Sequence, residues 1–356
     1  MSSKRILIAP LDWGLGHATR CVPLINAFLE AGAEVLPAAS GRGFHFLKKE
    51  FPQLEVLHFP GYDITYPKRG SMALHLLLAA PRILARIRDE HKELQALIRE
   101  KNIDLVISDN RFGLWSGQVP CIYMTHQLRI KAPAGEELLH QLHRRYMRQY
   151  GTIWVPDFAG PENLSGDLAH SEFQLPVEFI GPLTRFGKGA AGGTRFDHDL
   201  LVLLSGPEPQ RTVLEELLLA QAMQLPQKFL FVRGITESDE EKDPAPHIRF
   251  VNSLPSDELG QALLQAKTVI CRSGYSTLCD LAALGKKALV IPTPGQTEQE
   301  YLAAYHAGKN HVAAQEQRNV DLKKGLSDVA QTEGLRFAMS GDALRKSVRN
   351  ALSVRA

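Results

Sequence analysis

His17 sits in the stretch GLGHATR, close behind the apolar run Ile6, Leu7, Ile8. An imidazole titrates near neutrality, so it can take a proton from a hydroxyl or from water. Arg20, one helical turn further on, can orient that ring or face a phosphate. Gly14 and Gly16 let the backbone before His17 approach a ligand closely. A second strand-like run ends in SDNRFG (108–113), where Asp109 is a candidate base or orienter of His17 and Arg111 a candidate partner for an anion. The next such run ends in THQ, which adds His126 and Gln127. In the other half of the chain, TVICRSGYSTLCDLAALGKKALVIP carries Ser273 and Gly274 where a backbone must pass a ligand. Ser276 and Thr277 follow at a helix start, where N–H groups and the helix dipole favour a diphosphate. Asp280, a turn later, can accept hydrogen bonds from sugar hydroxyls. The following PTPGQTEQEYLAAY offers Gln296, Glu298, Gln299 and Glu300. LLSGPEPQR (203–211) offers Gly206 as a phosphate turn and Arg211 as a charge, although Pro207 and Pro209 remove two backbone donors from that loop. Each feature also has a plainer reading: a structural histidine, an Asp-Asn turn, a capped helix, a solvated helix start.

These residues need elements to hold them. Ile6–Ile8 reads as a buried parallel strand, and from Ala18 the pattern is helical, so His17 falls at a strand-to-helix junction, where open α/β sheets bind ligands. Strand-like runs at 54–59, 104–109, 121–126 and 152–156 alternate with helical stretches, notably Leu74–Arg99. The rhythm stops at GPLTRFGKGAAGGTRFD (181–197) and resumes with runs at 199–206, 228–234, 249–254, 268–274 and 288–293, with a helix from Thr212. The segment 340–356 reads as a capped amphipathic helix. The expected organisation is an α/β chain of two Rossmann-like parallel-sheet domains. It comprises residues 1–182, a linker at 183–198, residues 199–338 and a final helix at 339–356. A loose hinge between two such halves implies a cleft that closes on a ligand.

Composition excludes several classes. The chain has 356 residues, 44% hydrophobic and 22% charged, with a formal net charge of +2, so a nucleic-acid partner is not expected. Cys21, Cys121, Cys271 and Cys279 have no paired metal spacing, and scattered thiols fit a reducing cytoplasm. The first apolar run is too short for a signal peptide, and no stretch reaches the roughly 20 apolar residues of a membrane span. ITYPKRGSMALHLLLAAPRILARIR (64–88) mixes apolar residues with Lys68, Arg69, Arg82, Arg86 and Arg88; it suits a buried helix pair with a basic outer face or a contact with anionic lipid. Arg144, Arg145 and Arg148 extend that basic surface or solvate a helix.

The order CRSG-x-x-T-x-x-[acid]-x-x-A-x-G-x-x-A-x-x-x-P, followed by a Gln-rich loop, resembles the donor half of the bacterial N-acetylglucosaminyltransferases that make the lipid-linked peptidoglycan precursor. The N-terminal glycine turn and the final helix are similar too. The resemblance implies a GT-B fold, with the last helix crossing back to the N-terminal domain. It implies no metal or cofactor, with a UDP-sugar as substrate. By position, Ser273, Gly274, Ser276 and Thr277 would meet the diphosphate, and Asp280 the ribose hydroxyls, where the family usually has Glu. Gln299 would bind the donor sugar, beside Gln296, with Glu300 where a second Gln is common, and the backbone of Val251 would read the uracil edge. His17 would lie near the reacting sugar carbon, with Gly14, Gly16, Arg20, Arg111, His126 and Gln127 on the acceptor side. The expected activity is inverting, metal-independent glycosyl transfer from a nucleotide sugar to an unidentified acceptor, with a lipid-linked one and a peripheral membrane contact left open. A hydrolase in which His17 activates water, a nucleotide-sugar 2-epimerase and a non-catalytic nucleotide-sugar-binding protein are the alternatives.

Overall fold

The computed structural model describes residues 3–354 except 13, 63–71, 132–135, 171–172, 174, 187–195, 207 and 236–240. The chain forms two compact units, one built on the chain up to Leu183 together with the segment from Met339, the other on Thr184–Ala338.

The first unit is a parallel sheet. Its strands are β1 (Arg5–Pro10), β2 (Glu34–Ala39), β3 (Leu57–His58), β4 (Leu105–Asp109), β5 (Cys121–Met124), β6 (Thr152–Val155) and β7 (Val177–Phe179). They lie in the order β3-β2-β1-β4-β5-β6-β7. Both faces are covered, which is why the strands read as continuous apolar runs. Ile6, Ile8, Leu105, Ile107, Ile122 and Met124 point to one core, closed by α1 (Leu15–Glu30) and α2 (Gly41–Glu50). Leu7, Ala9, Val106, Cys121 and Tyr123 point to the other, which includes Leu94 and Ile98 of α3 (Met72–Lys101) and Met147 of α4 (Glu136–Met147). The C-terminal helix α11 (Asp342–Ser353) returns to this unit, burying Leu344, Val348 and Ala351 beside Trp154 and Ile180. Ser347 donates to Glu178 of β7.

The second unit repeats the architecture. Strands β8 (Leu200–Leu203), β9 (Phe229–Val232), β10 (Ile248–Val251), β11 (Thr268–Cys271), β12 (Ala288–Val290) and β13 (Ala313–Ala314) form a second parallel sheet, ordered β10-β9-β8-β11-β12-β13. Its helices include α6 (Gln210–Ala222), α7 (Ser256–Gln265), α8 (Tyr275–Ala283), α9 (Thr297–Gly308) and α10 (Leu322–Ala330). A short helix α5 (Asp167–His170) precedes β7 in the first unit.

Some expectations need correction. The run at 54–59 supplies only the two residues of β3, because this edge strand meets β2 only at Ala38 and Ala39. The helix expected from Thr212 begins at Gln210, with Pro209 as its N-cap, where a residue without an N–H is tolerated. Of the supposed linker, 187–195 lie outside the described residues, as do Pro207, Lys68 and Arg69. Thr184 and Arg185 are bound to Asp280 of α8. No helix among the described residues is long and apolar enough to cross a membrane.

Candidate active site

In the first unit the site grows from strand parity and helix spacing. Leu105, Ile107 and Asp109 alternate onto the α1 face of β4, and Asp109 ends that strand beside Pro10 of β1. The chain then turns into α1 through Gly14, whose φ of 88° and ψ of 177° suit glycine alone. Gly16 lies in the first turn, where its carbonyl accepts from Thr19 Oγ1. His17 and Arg20, three apart, share one helix face. His17 Nδ1 lies 3.0 Å from Asp109 Oδ2. Arg20 Nε donates to the same oxygen at 2.9 Å, and Arg20 Nη2 forms a short ion pair with Oδ1. His126, two residues past Met124 and of the same parity, receives Arg20 Nη1 on its Nδ1 at 2.7 Å. Gln127 is half-buried beside it, its Nε2 3.5 Å from His126 Nε2.

The electrostatics follow from burial. Asp109 is 0% exposed. Burial alone would raise its pKa, but Arg20 and His17 outweigh it and hold the carboxyl down at about 2. His17 is pushed below the ordinary histidine value, first by burial and then by Arg20, against the opposing pull of Asp109. A neutral ring with Nδ1–H donated to Asp109 leaves Nε2 with a lone pair. The side chain of His17 keeps 14% exposure, while that of Asp109 has none. The sequence therefore picked out His17, Arg20, Asp109 and His126 as neighbours, and the structure brings them together.

Arg111 is different. It points to the opposite face of the sheet and is 0% exposed. Its Nε donates to Glu90 of α3 at 2.6 Å, and its other nitrogens reach the carbonyls of Phe59 and Pro60. Glu90 also takes the N–H of Gly113 and the hydroxyl of Tyr62. This guanidinium is a buried structural ion, so it does not serve an acceptor anion. Strand parity would place Arg111 on the face of Asp109, but Asn110, left-handed at φ 61° directly after the strand, turns the chain and breaks that parity.

In the second unit the candidates gather at the carboxyl ends of β8, β11 and β12. Gly206, φ 99°, follows β8. Gly274 is the N-cap of α8 and, as a glycine, brings no side chain to cap it. Ser276 and Thr277 lie in its first turn and are half-buried. Ser273, 0% exposed, donates its hydroxyl to the Gln299 carbonyl at 2.7 Å. Gln299 in turn accepts the Thr293 N–H at 2.8 Å on Oε1. Both side chains thus shape the β11 and β12 turns, Ser273 through its hydroxyl and Gln299 through Oε1. Gln296, the N-cap of α9, has a buried Oε1 with no hydrogen-bond partner. Asp280 is held by Thr184 Oγ1 at 3.0 Å and by Arg185 Nη2 at 2.9 Å. Arg211 is 4% exposed and spent on Glu208 and Glu215 at 2.6 and 2.7 Å, so it is not a free charge for phosphate. The carbonyl of Val251 accepts the Arg233 N–H within the ladder to β9.

Arg272 draws no attention in the sequence, yet it is the most informative charge here. It is 1% exposed, and its guanidinium donates to the carbonyls of Gln210, Ile291 and Pro292, with Nε left without a partner. Burial lowers its pKa to about 10. A buried cation bonded to carbonyls, one residue before Ser273 and bound to the first residue of α6, makes these strand ends electropositive. Its signal in sequence was an arginine closing an apolar strand. Among the described residues no group of His, Cys, Asp and Glu side chains is gathered for a metal ion.

Sequence and structure comparisons agree with this architecture. Residues 210–353 match the Glycosyltransferase family 28 C-terminal domain. The UDP-N-acetylglucosamine–N-acetylmuramyl-(pentapeptide) pyrophosphoryl-undecaprenol N-acetylglucosamine transferase of Histophilus somni is 31% identical over 134 residues, 35% of this chain and 38% of that protein. The chain thus matches less than half the length of that relative. A protein of Methanosarcina acetivorans described as an uncharacterized glycosyltransferase is 24% identical over 329 residues, 83% of this chain and 79% of its own. Among solved structures, the calicheamicin glycosyltransferase CalG4 superposes with a TM-score of 0.61 at 16% identity, covering 99% of this chain and 95% of its own. The fold is the GT-B fold of glycosyltransferases, two parallel-sheet α/β domains. Within it, the chain resembles the peptidoglycan N-acetylglucosaminyltransferases, most clearly in its C-terminal part.

Proposed function

We propose that this protein is an inverting, metal-independent glycosyltransferase. In this reading it moves a sugar from a UDP-linked donor to an acceptor hydroxyl, with His17 as the base. The observation that carries the reading is His17 Nδ1 held 3.0 Å from the fully buried Asp109 carboxylate. With that bond made, Nε2 accepts the acceptor's proton. The acceptor oxygen bonds to the anomeric carbon as the bond from that carbon to the diphosphate breaks. Asp109 then stabilises the imidazolium, and Arg20 keeps the ring unprotonated beforehand. On the donor side, the N-terminus of α8 and the buried charge of Arg272 supply fixed positive potential for the leaving diphosphate, which needs no reorganisation when the charge develops.

The names of the relatives support a nucleotide-sugar donor and leave a lipid-linked acceptor in play. Contact with an anionic membrane surface belongs to the same reading. It is supported by Leu84, Leu139 and Leu142, 39%, 41% and 42% exposed, on helices that also carry the exposed Arg82, Arg88 and Arg145. The test is to incubate the protein with a panel of UDP-sugars, with and without acceptors, following UDP release and calorimetric UDP binding. Acceptor-dependent release that disappears in His17→Ala is expected. Release at the same rate without acceptor assigns hydrolysis instead, and no UDP binding at all sinks the donor assignment.

A further inference from the structure

The donor reading gives the nucleobase only a backbone contact at its edge, at Val251, whose carbonyl also accepts the Arg233 N–H in the ladder to β9, and assigns no side chain to the face of the base. Arg233 lies next to Val251, directly after β9 at the carboxyl end of the sheet. The chain there is fixed. Gly234 has φ 68°, and a Cβ on it would stand 2.6 Å from the Leu204 carbonyl oxygen, so the segment after β9 is pressed against the segment after β8. The Arg233 N–H donates to Val251 at 2.8 Å, and its carbonyl accepts from Arg211 Nη1 at 3.3 Å.

Its guanidinium is equally constrained. Glu215 of α6 takes Nε at 3.0 Å and Nη2 at 2.7 Å, a forked pair. Nη1 donates to Asn252 Oδ1 at 3.1 Å. Its Cζ lies over the Phe250 ring, 4.8 Å from the centroid. Recognition of a phosphate uses the in-plane donors of a guanidinium, and here three of the five N–H groups go to Glu215 and Asn252. Glu215, shared with Arg211, offsets the charge. The side chain keeps 21% exposure, and a planar ring can meet it on the side away from Phe250. A flat guanidinium held at fixed attitude stacks on planar aromatic rings. Of the parts of a nucleotide sugar, only the base is such a ring.

We propose that Arg233 is the platform for the donor's nucleobase, sandwiched between Phe250 and the base, and that it is the residue through which a nucleoside diphosphate is distinguished from a bare diphosphate. This rests on the nucleotide-sugar reading above. Stacking senses the ring rather than its edge, so uridine and thymidine diphosphates bind within a few-fold of each other.

The test uses the full chain and its Arg233→Lys and Arg233→Ala variants. Calorimetry gives the affinity for UDP, dTDP and inorganic pyrophosphate, and NMR follows the Arg233 Nε–H resonance. Both variants should weaken UDP and dTDP roughly tenfold, the size expected for losing one base stack, with pyrophosphate unchanged. Lysine should not rescue, because it keeps the charge and loses the plane. In the unaltered protein UDP, but not pyrophosphate, should shift the Nε–H resonance upfield by the ring current of the base. Nucleotide binding that is equal in protein and variants, or that leaves the resonance unmoved, overturns the platform while leaving the donor reading standing. Absence of nucleotide binding by the unaltered protein overturns both. Thermal melts of the variants check that Glu215, still paired with Arg211, holds the fold.

Discussion

Replacing Asp109 by Asn tests the core of the first-unit site. The carboxylate is 0% exposed, and burial alone would favour its neutral form. Its pKa nevertheless falls from 3.8 to about 2, so Arg20 and His17 stabilise the ionised form by roughly 2 kcal/mol beyond its burial penalty. The sign is that of a depressed acid. This stability is present above pH 3.8 and lost as pH falls toward 2. A neutral amide in place of the carboxylate would leave the guanidinium of Arg20, 3% exposed, without its counter-charge, a change that costs about 3–5 kcal/mol when a buried pair is broken from one side. The effect on rate is separate. Without the carboxylate nothing selects the Nδ1–H tautomer of His17 over the one in which Nδ1 accepts from Arg20 Nη2, 2.8 Å away, and kcat/KM should fall by about 10²–10⁴. The pH profile separates mechanism from damage. His17 must be unprotonated, so kcat/KM falls on the acid side through a pKa below 6.5. Asp109 raises that pKa and Arg20 lowers it, so Asp109→Asn moves the acid limb to lower pH and Arg20→Gln moves it to higher pH. Steady-state rates from pH 5 to 8 for the three proteins give the answer. Limbs that move together, or that stay in place, would refute the assignment of His17 as the base held by this network.

Three further outcomes can be measured independently. His143, 3% exposed, has its pKa pushed down to about 3 by burial and by His140, so the unfolded chain takes up its proton first as pH falls below 6.5. The stability advantage of the wild-type protein over His143→Phe should therefore shrink by about 2 kcal/mol between pH 6.5 and 5 in urea titrations. Arg111→Met should destabilise by about 3–5 kcal/mol because Glu90 is left buried and unpaired, with acceptor KM unchanged in the folded fraction; a raised KM at unchanged stability would restore Arg111 to the acceptor site. Gly14→Ala places a side chain at φ 88° and should lower stability by about 1–3 kcal/mol and slow turnover, read by thermal melting and initial rates, although no atom lies within 4 Å of the added Cβ.

Much of the architecture was legible because it depends on local pattern. Apolar runs of four to six residues separated by helical periods announce buried parallel strands, and most strands follow that rule; β2 (Glu34–Ala39), with Pro37 inside it, is a six-residue strand that the sequence reading passes over. The exceptions are instructive. β13 has two residues and β7 three half-buried ones, too few to show a period, while the run at 54–59 overstates β3, which has two. The sheet neighbours define them as strands. The site in the first unit was legible for a related reason. His17 and Arg20 share a helix face by spacing alone, and Asp109 and His126 stand at the ends of strands whose parity can be counted.

What sequence could not decide is which charges remain available once the chain is packed. Arg20, Arg111, Arg211, Arg233 and Arg272 look alike in one dimension. Folding assigns Arg20 to the His17 network, buries Arg111 against Glu90, ties Arg211 to Glu208 and Glu215, sets Arg233 over the Phe250 ring and leaves Arg272 among carbonyls. Ser273 and Gln299 stand out by their motif, but the Ser273 hydroxyl donates to the Gln299 carbonyl while Gln299 Oε1 accepts from Thr293 in its own turn. The physical reason is that a charge buried without a partner is expensive. Its role is therefore set by which distant carboxylate or carbonyl the sheet order brings beside it. By itself, the sequence determined the alternation of strands and helices, the junction that holds His17 and the motif at the start of α8. Arg211 finds its carboxylates three and four positions away, but only the tertiary structure decided the other partners, such as Glu90 for Arg111, 21 positions away, and His126 for Arg20, 106 away.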